Sequence, residues 1–129
     1  LISTSLFHDY SMKVIFYLKS CNTCTRIIKE IGLDSSFTFR EIKSKTISKK
    51  EIEMIHSLSK NYESIFNNRA LLFRKKKKTK SYFNDSDYKK YILEHYTFLK
   101  RPLIIIDKKL FAGNSKKTIA EAKSHIHEQ

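Results

Sequence analysis

Glycine and proline are scarce in this 129-residue chain, which has only two Gly and one Pro. This scarcity excludes a collagen-like chain and a disordered chain rich in Gly or Pro. The two Cys are too few for the disulfide framework of a small secreted domain. No apolar run approaches the roughly 20 residues of a membrane-spanning helix, and residues 1–11 lack the basic start and apolar stretch of a signal peptide. We therefore expect a cytoplasmic protein with no membrane partner.

Positive charge is abundant, because 26 Lys and Arg oppose 13 Asp and Glu and leave a net charge of +13. Cations that neutralise phosphates are typical of nucleic-acid binding. However, 21 of the 26 are Lys, whereas Arg is favoured for base-edge recognition, and a joint excess of Lys and Ile is what AT-rich coding produces. We interpret the polar stretch Lys75–Asn84 as a solvated loop and expect no direct nucleic-acid binding. A site for nucleic acid or an acidic partner is the alternative.

Strand and helix patterns alternate along the first part of the chain. The β-branched and aromatic run Lys13–Leu18 predicts a strand covered on both faces. Apolar residues at helical spacing then lead to Gly32, which predicts a helix that ends there. Phe37–Ile42 is interpreted as a second strand. Ser48, with Glu51 three residues later, predicts a helix that begins with a capping box.

The second part of the chain is helical first and then returns to strands. Short helical turns are predicted at Tyr62–Phe66 and Ala70–Phe73, followed by a helix that Ser86 or Asp87 caps. The buried run Leu103–Ile106 and the short run Leu110–Ala112 predict a hairpin. A last helix is predicted to begin after Ser115, with Ile119, Ala122 and Ile126 on one face.

This order is βαβ, a helical insertion, then ββα, and it predicts an α/β fold. A four-stranded mixed sheet flanked by helices satisfies it, which is the thioredoxin-like arrangement. We expect residues 12–129 to form this domain and residues 1–11 to be a flexible N-terminal extension.

Two cysteines, Cys21 and Cys24, lie where the first strand ends and the first helix begins. A helix N-terminus favours a thiolate, since its backbone N–H groups and its dipole attract negative charge. Lys19 and Arg26 add positive charge on either flank. Cys21 is therefore the predicted nucleophile, and Cys24, about one turn later, can resolve a mixed disulfide on Cys21.

Two other interpretations of the cysteine pair stay open at this point. Zinc needs four ligands, but the chain has no second Cys pair, and His125 and His127 are distant in sequence. We therefore expect no metal. The pair could also be two unreactive thiols, although a CxxC motif between a strand and a helix is typical of a redox site.

Pro102, the single proline, directly follows Arg101 and precedes the Leu103–Ile106 strand. X–Pro bonds adopt the cis form at modest cost. In a thioredoxin-like fold this loop faces the CxxC loop, so a cis Pro102 would shape the substrate crevice. A plain proline at the start of a strand is the alternative.

Three segments carry a family resemblance: FYLKSCNTCTR, RALLFRKK from Arg69, and FLKRPLIIIDKKLFAGNS from Phe98. From Met12 to about Ile126 the chain resembles the arsenate reductase family of the thioredoxin superfamily, which also contains the Spx-type redox regulators of RNA polymerase. The resemblance implies that Cys21 attacks an oxyanion that Arg101 binds. Arg74 best matches a second anion-binding arginine, and Arg69 is the competing assignment.

Three positions bear on the choice within this family. Arsenate-reducing members carry a further arginine where this chain has Ala112 and Gly113, and a histidine where it has Tyr17. The second cysteine, Cys24, is instead a feature of Spx-type members and of some uncharacterised relatives. A CxxC motif can cycle through its own disulfide.

Taken together, the residues and the resemblance predict an arsenate reductase-like thiol–disulfide oxidoreductase. Cys21 and Cys24 would be catalytic, and Arg74 or Arg69, Arg101 and Pro102 would bind an oxyanion or a glutathione carboxylate. We expect no bound cofactor, glutathione/glutaredoxin or thioredoxin as the reductant, and a redox protein as the partner. The alternatives are an Spx-like redox-sensing transcriptional regulator that binds RNA polymerase, and a thioredoxin-fold domain without activity.

Overall fold

The computed structural model describes residues 12–80 and 82–127, so the predicted flexibility of residues 1–11 lies outside the described residues. Within this part of the chain there are four strands and five α-helices, joined in places by short 3₁₀ turns. The elements are β1 Lys13–Tyr17, α1 Asn22–Ile31, β2 Thr38–Glu41, α2 Lys49–Ser59, α3 Leu71–Thr79, α4 Asp85–Glu94, β3 Leu103–Ile106, β4 Lys109–Ala112 and α5 Lys116–His127. None of these helices is long and apolar enough to cross a membrane.

The four strands form one mixed sheet in the order β2-β1-β3-β4. β1 is parallel to β2 and antiparallel to β3, and β3 is antiparallel to β4. A parallel pair requires a crossover connection, which α1 supplies between β1 and β2. The hairpin of β3 and β4 completes the sheet, and the predicted thioredoxin-like arrangement is confirmed.

Two compact units make up the chain, and the first contains the sheet with α1 and α5. Of the described residues it contains 12–41 and 101–127. Ile15 and Phe16, which point to opposite faces of β1, are both buried, as predicted for a strand covered on both faces. One face of the sheet packs against both helices in a cluster of Ile15, Ile27, Ile31, Phe37, Ile104, Ile106, Ile119 and Ala122.

The second unit, Ile42–Lys100, is the predicted helical insertion and contains α2, α3 and α4. Its interior is aromatic: successive ring contacts connect Phe66, Phe73, Phe83, Tyr88, Tyr91 and Phe98. Such pairs add about 0.5–1.5 kcal/mol each beyond the area that they bury.

The lysine run is helical, so the prediction of a solvated loop over Lys75–Asn84 is wrong for its first half. α3 continues to Thr79. Lys is a good helix former, and contacts with neighbouring side chains support the run. Lys76 Nζ lies 3.3 Å from a Glu94 carboxylate oxygen and 4.8 Å from the centre of the Tyr91 ring. The composition of the lysine run does not reveal these contacts with residues distant in sequence.

The helix caps confirm two predictions and correct one. Ser48 forms the predicted capping box with Glu51, and Ser115 Oγ accepts a hydrogen bond from Thr118 N at 3.1 Å. The cap of α4 is Asn84, not Ser86 or Asp87: the Asn84 side chain accepts from Asp87 N, and the Asp87 carboxylate accepts from Asn84 N. Asn, Asp and Ser are about equally good N-cap residues, so residue type alone does not distinguish Asn84 from Ser86 or Asp87 as the cap.

Candidate active site

Cys21 lies in the turn between β1 and α1 and is the N-cap residue of α1. Its backbone N donates to Leu18 O at 3.2 Å, and its backbone O accepts from Thr25 N at 3.1 Å. Its Sγ accepts a hydrogen bond from Cys24 N at 3.4 Å. The sulfur therefore takes the position that a Ser or Asp oxygen occupies in an ordinary N-cap, next to amide groups that the helix leaves unsatisfied.

The pKa of the half-buried Cys21 thiol is lowered by this setting. Burial works in the opposite direction, but the Cys24 backbone N–H, a hydrogen bond from the Cys24 thiol and the positive charge of Arg101 together outweigh it. Each of these groups stabilises the thiolate more than the thiol. Cys21 therefore carries a larger thiolate fraction at neutral pH than a free cysteine does.

Cys24 has the opposite character, although it is only three residues later. Its side chain is fully buried, and burial, together with the thiol hydrogen bond and the charge of Cys21, raises the pKa of Cys24 to about 12. Both cysteines are free rather than joined in a disulfide. The pair therefore combines one half-buried thiol of lowered pKa with one fully buried thiol of raised pKa.

Arg101 and Pro102 precede β3, and the peptide bond between them is cis. Arg101 is half-buried, and its charge lowers the pKa of both thiols. Pro102 is buried, and its carbonyl accepts a hydrogen bond from Gly113 N at 2.9 Å. Of the three arginines predicted to bind an anion, Arg101 is therefore the one whose charge acts on both cysteines.

Arg69 and Arg74 belong to the second unit, and both side chains are exposed. Arg69 lies just before α3, and Arg74 lies within α3. The choice between them as a second anion ligand stays a prediction. Arg26, which was expected to add charge beside the thiol, instead pairs with Glu30 at 3.4 Å on the exposed side of α1.

Glu41 is a residue at this site that the sequence patterns missed. Its Oε2 accepts a hydrogen bond from Lys19 N at 3.1 Å, across from the neighbouring parallel strand. This contact ties the turn that precedes Cys21 to the end of β2. No local pattern could reveal it, because it depends on the pairing of Tyr17 with Glu41.

The described residues offer no group of three or more His, Cys, Asp or Glu that could hold a metal ion. His127 Nε2 lies 2.8 Å from Ile31 O, at the C-terminal end of α1. It is thus placed at the opposite end of the helix from Cys21.

Selective alkylation tests the contrast between the two thiols. Iodoacetamide is expected to modify Cys21 with a rate whose midpoint lies below pH ~8.5, the value for a free cysteine, because the lowered pKa supplies thiolate at lower pH. Cys24 is expected to stay unmodified over the same range, since its pKa is about 12. Peptide mass spectrometry after timed quenching measures both rates. Equal labelling of the two cysteines, or a Cys21 midpoint at or above pH ~8.5, would contradict this assignment.

Comparison with known proteins shows which family and which solved structures this chain is similar to. The family model described as ArsC family matches residues 16–122. An arsenate reductase (ArsC) related protein from Brucella melitensis is 20% identical, with a TM-score of 0.66 over 88% of this chain and 95% of that one. An arsenate reductase from Vibrio cholerae is 14% identical, with a TM-score of 0.64 over 88% and 99%. A Staphylococcus aureus protein is 21% identical, with a TM-score of 0.65 over 85% and 97%. No curated protein is a significant match.

Proposed function

Because this chain belongs to the ArsC family, we propose that it is an arsenate reductase-like thiol–disulfide oxidoreductase. The observation that carries the proposal is the Cys21 thiol at the N-terminus of α1, whose pKa is lowered by the Cys24 amide, the Cys24 thiol and Arg101 against the opposing effect of burial. A nucleophilic thiolate and a nearby guanidinium are the two groups that attack on an oxyanion requires.

The proposed reaction begins with the binding of the oxyanion by Arg101. With arsenate as substrate, the Cys21 thiolate attacks arsenic, an S–As bond forms and an As–O bond breaks, and the oxygen leaves as water. Cys24 then attacks the Cys21 sulfur. The S–As electron pair passes to arsenic, which leaves as trivalent arsenite. The dithiol has lost the two electrons that arsenic gained, and a disulfide remains.

The environment of Cys24 suits a resolving role that begins only after the first step. Two of the effects that raise the pKa of Cys24 come from Cys21, namely its hydrogen bond and its charge. Burial, the largest effect, remains, but the charge of the Cys21 thiolate disappears once its sulfur is bonded to a substrate, which lowers the pKa of Cys24. Cys24 thus becomes a better nucleophile when a covalent intermediate exists and stays protonated otherwise.

The disulfide is returned to the dithiol by an external donor, for which glutathione with glutaredoxin, or thioredoxin, is the proposed class. Arsenate reduction coupled to NADPH consumption, with each donor system supplied separately, tests the function. Arsenate-dependent turnover is expected with at least one donor. No turnover with either system would contradict the enzyme proposal.

A second candidate is an Spx-like regulator whose CxxC pair senses oxidation and which binds RNA polymerase. The observation that favours it is Cys24, which lies in hydrogen-bonding contact with Cys21 and permits an intramolecular disulfide. Retention of purified RNA polymerase by the oxidised but not the reduced protein would support this candidate. Equal or absent retention in both states would contradict it.

A further inference from the structure

We propose that the reduced Cys21–Cys24 pair is a chelating site for trivalent arsenicals that carry one organic substituent, of the form R–As(OH)2. The two cysteines lie together at the start of α1, since Cys21 is its N-cap and Cys21 Sγ accepts a hydrogen bond from the Cys24 amide at 3.4 Å. Both thiols are free, so both can serve as ligands.

The number of donors selects the class of ligand. Thiolate is a soft ligand that suits thiophilic centres. A structural zinc ion needs four ligands, and the described residues provide no cluster of three or more His, Cys, Asp or Glu. An arsenical with one carbon substituent has two exchangeable oxygens, which two thiols replace completely. The pair therefore satisfies this class of ligand with no further residue.

The binding step balances without any oxidant or reductant. Two S–As bonds form and two As–O bonds break, and each thiol proton leaves with a hydroxide as water. Arsenic stays trivalent, and both sulfurs stay at the oxidation level of a thiol. The product is a ring that contains arsenic, the two sulfurs and the chain between them.

The order of the two bonds follows from the burial of the thiols. Cys21 is half-exposed and attacks arsenic first, whereas Cys24 is fully buried beside it. In thiol–disulfide exchange the attacking cysteine must be a thiolate. In the condensation with As–OH, by contrast, the Cys24 proton leaves together with the hydroxide as water. Protonation of Cys24 therefore does not prevent closure of the ring. The second bond is intramolecular, and such linkage raises affinity by about 10²- to 10⁴-fold.

This site has a consequence that rests on the proposed function. Reduction of arsenate releases trivalent arsenic while the pair is a disulfide. The external donor then restores the dithiol, which a second enzyme cycle needs in its free form and which can bind the released arsenic. Capture of the product by Cys21 and Cys24 would therefore limit arsenate turnover until a competing thiol releases it.

Phenylarsine oxide is the probe for this site, with the reduced full chain and no arsenate or electron donor present. One phenylarsenic group per chain is expected by intact mass, with both cysteines protected from iodoacetamide. Release is expected with 2,3-dimercaptopropanol but not with an equal concentration of a monothiol. Since no turnover is involved, failure of the proposed enzyme function would leave this result unchanged, and the reverse also holds.

Cys24→Ala and Cys24→Ser are the matched variants, and both keep Cys21. Each is expected to bind the probe about 10²- to 10⁴-fold more weakly, because only one S–As bond forms. Circular dichroism checks their folding, and wild-type protein alkylated at Cys21 alone provides a second measurement that needs no variant. Retention of wild-type affinity in either folded variant, or in the alkylated protein, would overturn the proposal.

Discussion

Replacement of Cys21 with serine is expected to lower arsenate-dependent turnover by about 10³-fold or more. A serine hydroxyl does not ionise near neutral pH, so the variant loses the nucleophile that forms the covalent intermediate. Thiol alkylation at neutral pH should disappear with it, because the remaining thiol, Cys24, is fully buried. Steady-state rates with glutathione/glutaredoxin and with thioredoxin measure the loss.

Cys24→Ser provides the comparison for this experiment. It removes the resolving thiol but keeps Cys21 at the N-terminus of α1. If glutathione can take the place of Cys24, this variant retains turnover with glutathione and loses it with thioredoxin. Turnover of Cys21→Ser close to that of the wild type would contradict the assignment of the nucleophile.

Replacement of Arg101 with glutamine is expected to lower kcat/KM for arsenate by about 10- to 100-fold. Hydrogen bonds to a charged group contribute about 1.5–3 kcal/mol, and a factor of ten corresponds to about 1.4 kcal/mol. The pKa of Cys21 should also rise, since the charge of Arg101 helps to lower it. At neutral pH the thiolate fraction, and with it the alkylation rate, should therefore fall. The pH profile of alkylation measures this shift separately from turnover.

Arg101→Lys separates charge from geometry. It keeps the positive charge, so the alkylation profile of Cys21 should resemble that of the wild type, but a lysine cannot bind an oxyanion in a bidentate manner. Its kcat/KM should therefore stay low. Arg26→Gln is the matched control, because it removes an arginine of α1 that pairs with Glu30 at the surface, and such pairs contribute less than about 1 kcal/mol. Equal losses in Arg26→Gln and Arg101→Gln would contradict a specific role for Arg101.

Local patterns were sufficient for the order of the elements and for the position of the nucleophile. The run Lys13–Leu18 and the spacing of the isoleucines that follow placed a strand and a helix on either side of Cys21, as the structure confirms. A cysteine at such a junction becomes the N-cap of the helix, and its amide partners come from the next three residues. These interactions join residues that are close in sequence, so the local sequence is enough to predict them.

Short-range patterns failed where distant segments decide the outcome. The lysines after Leu71 looked like a loop, but α3 extends through them because Glu94 and the Tyr91 ring contact Lys76. The contact of Glu41 with the turn before Cys21 is a further case. Each depends on a neighbour that the sequence does not place.

Spacing and capping act over a few residues, so the residues alone predict a CxxC pair at a strand–helix junction in a βαβ-insertion-ββα chain. The chemistry of that pair depends on the folded chain. The sheet brings the charge of Arg101, eighty residues later in the chain, to both thiols. Packing buries Cys24 completely and leaves Cys21 half-exposed. Burial raises the pKa of both thiols and the charge of Arg101 lowers both, but burial prevails at Cys24, whereas the charge and the hydrogen bonds to the sulfur prevail at Cys21.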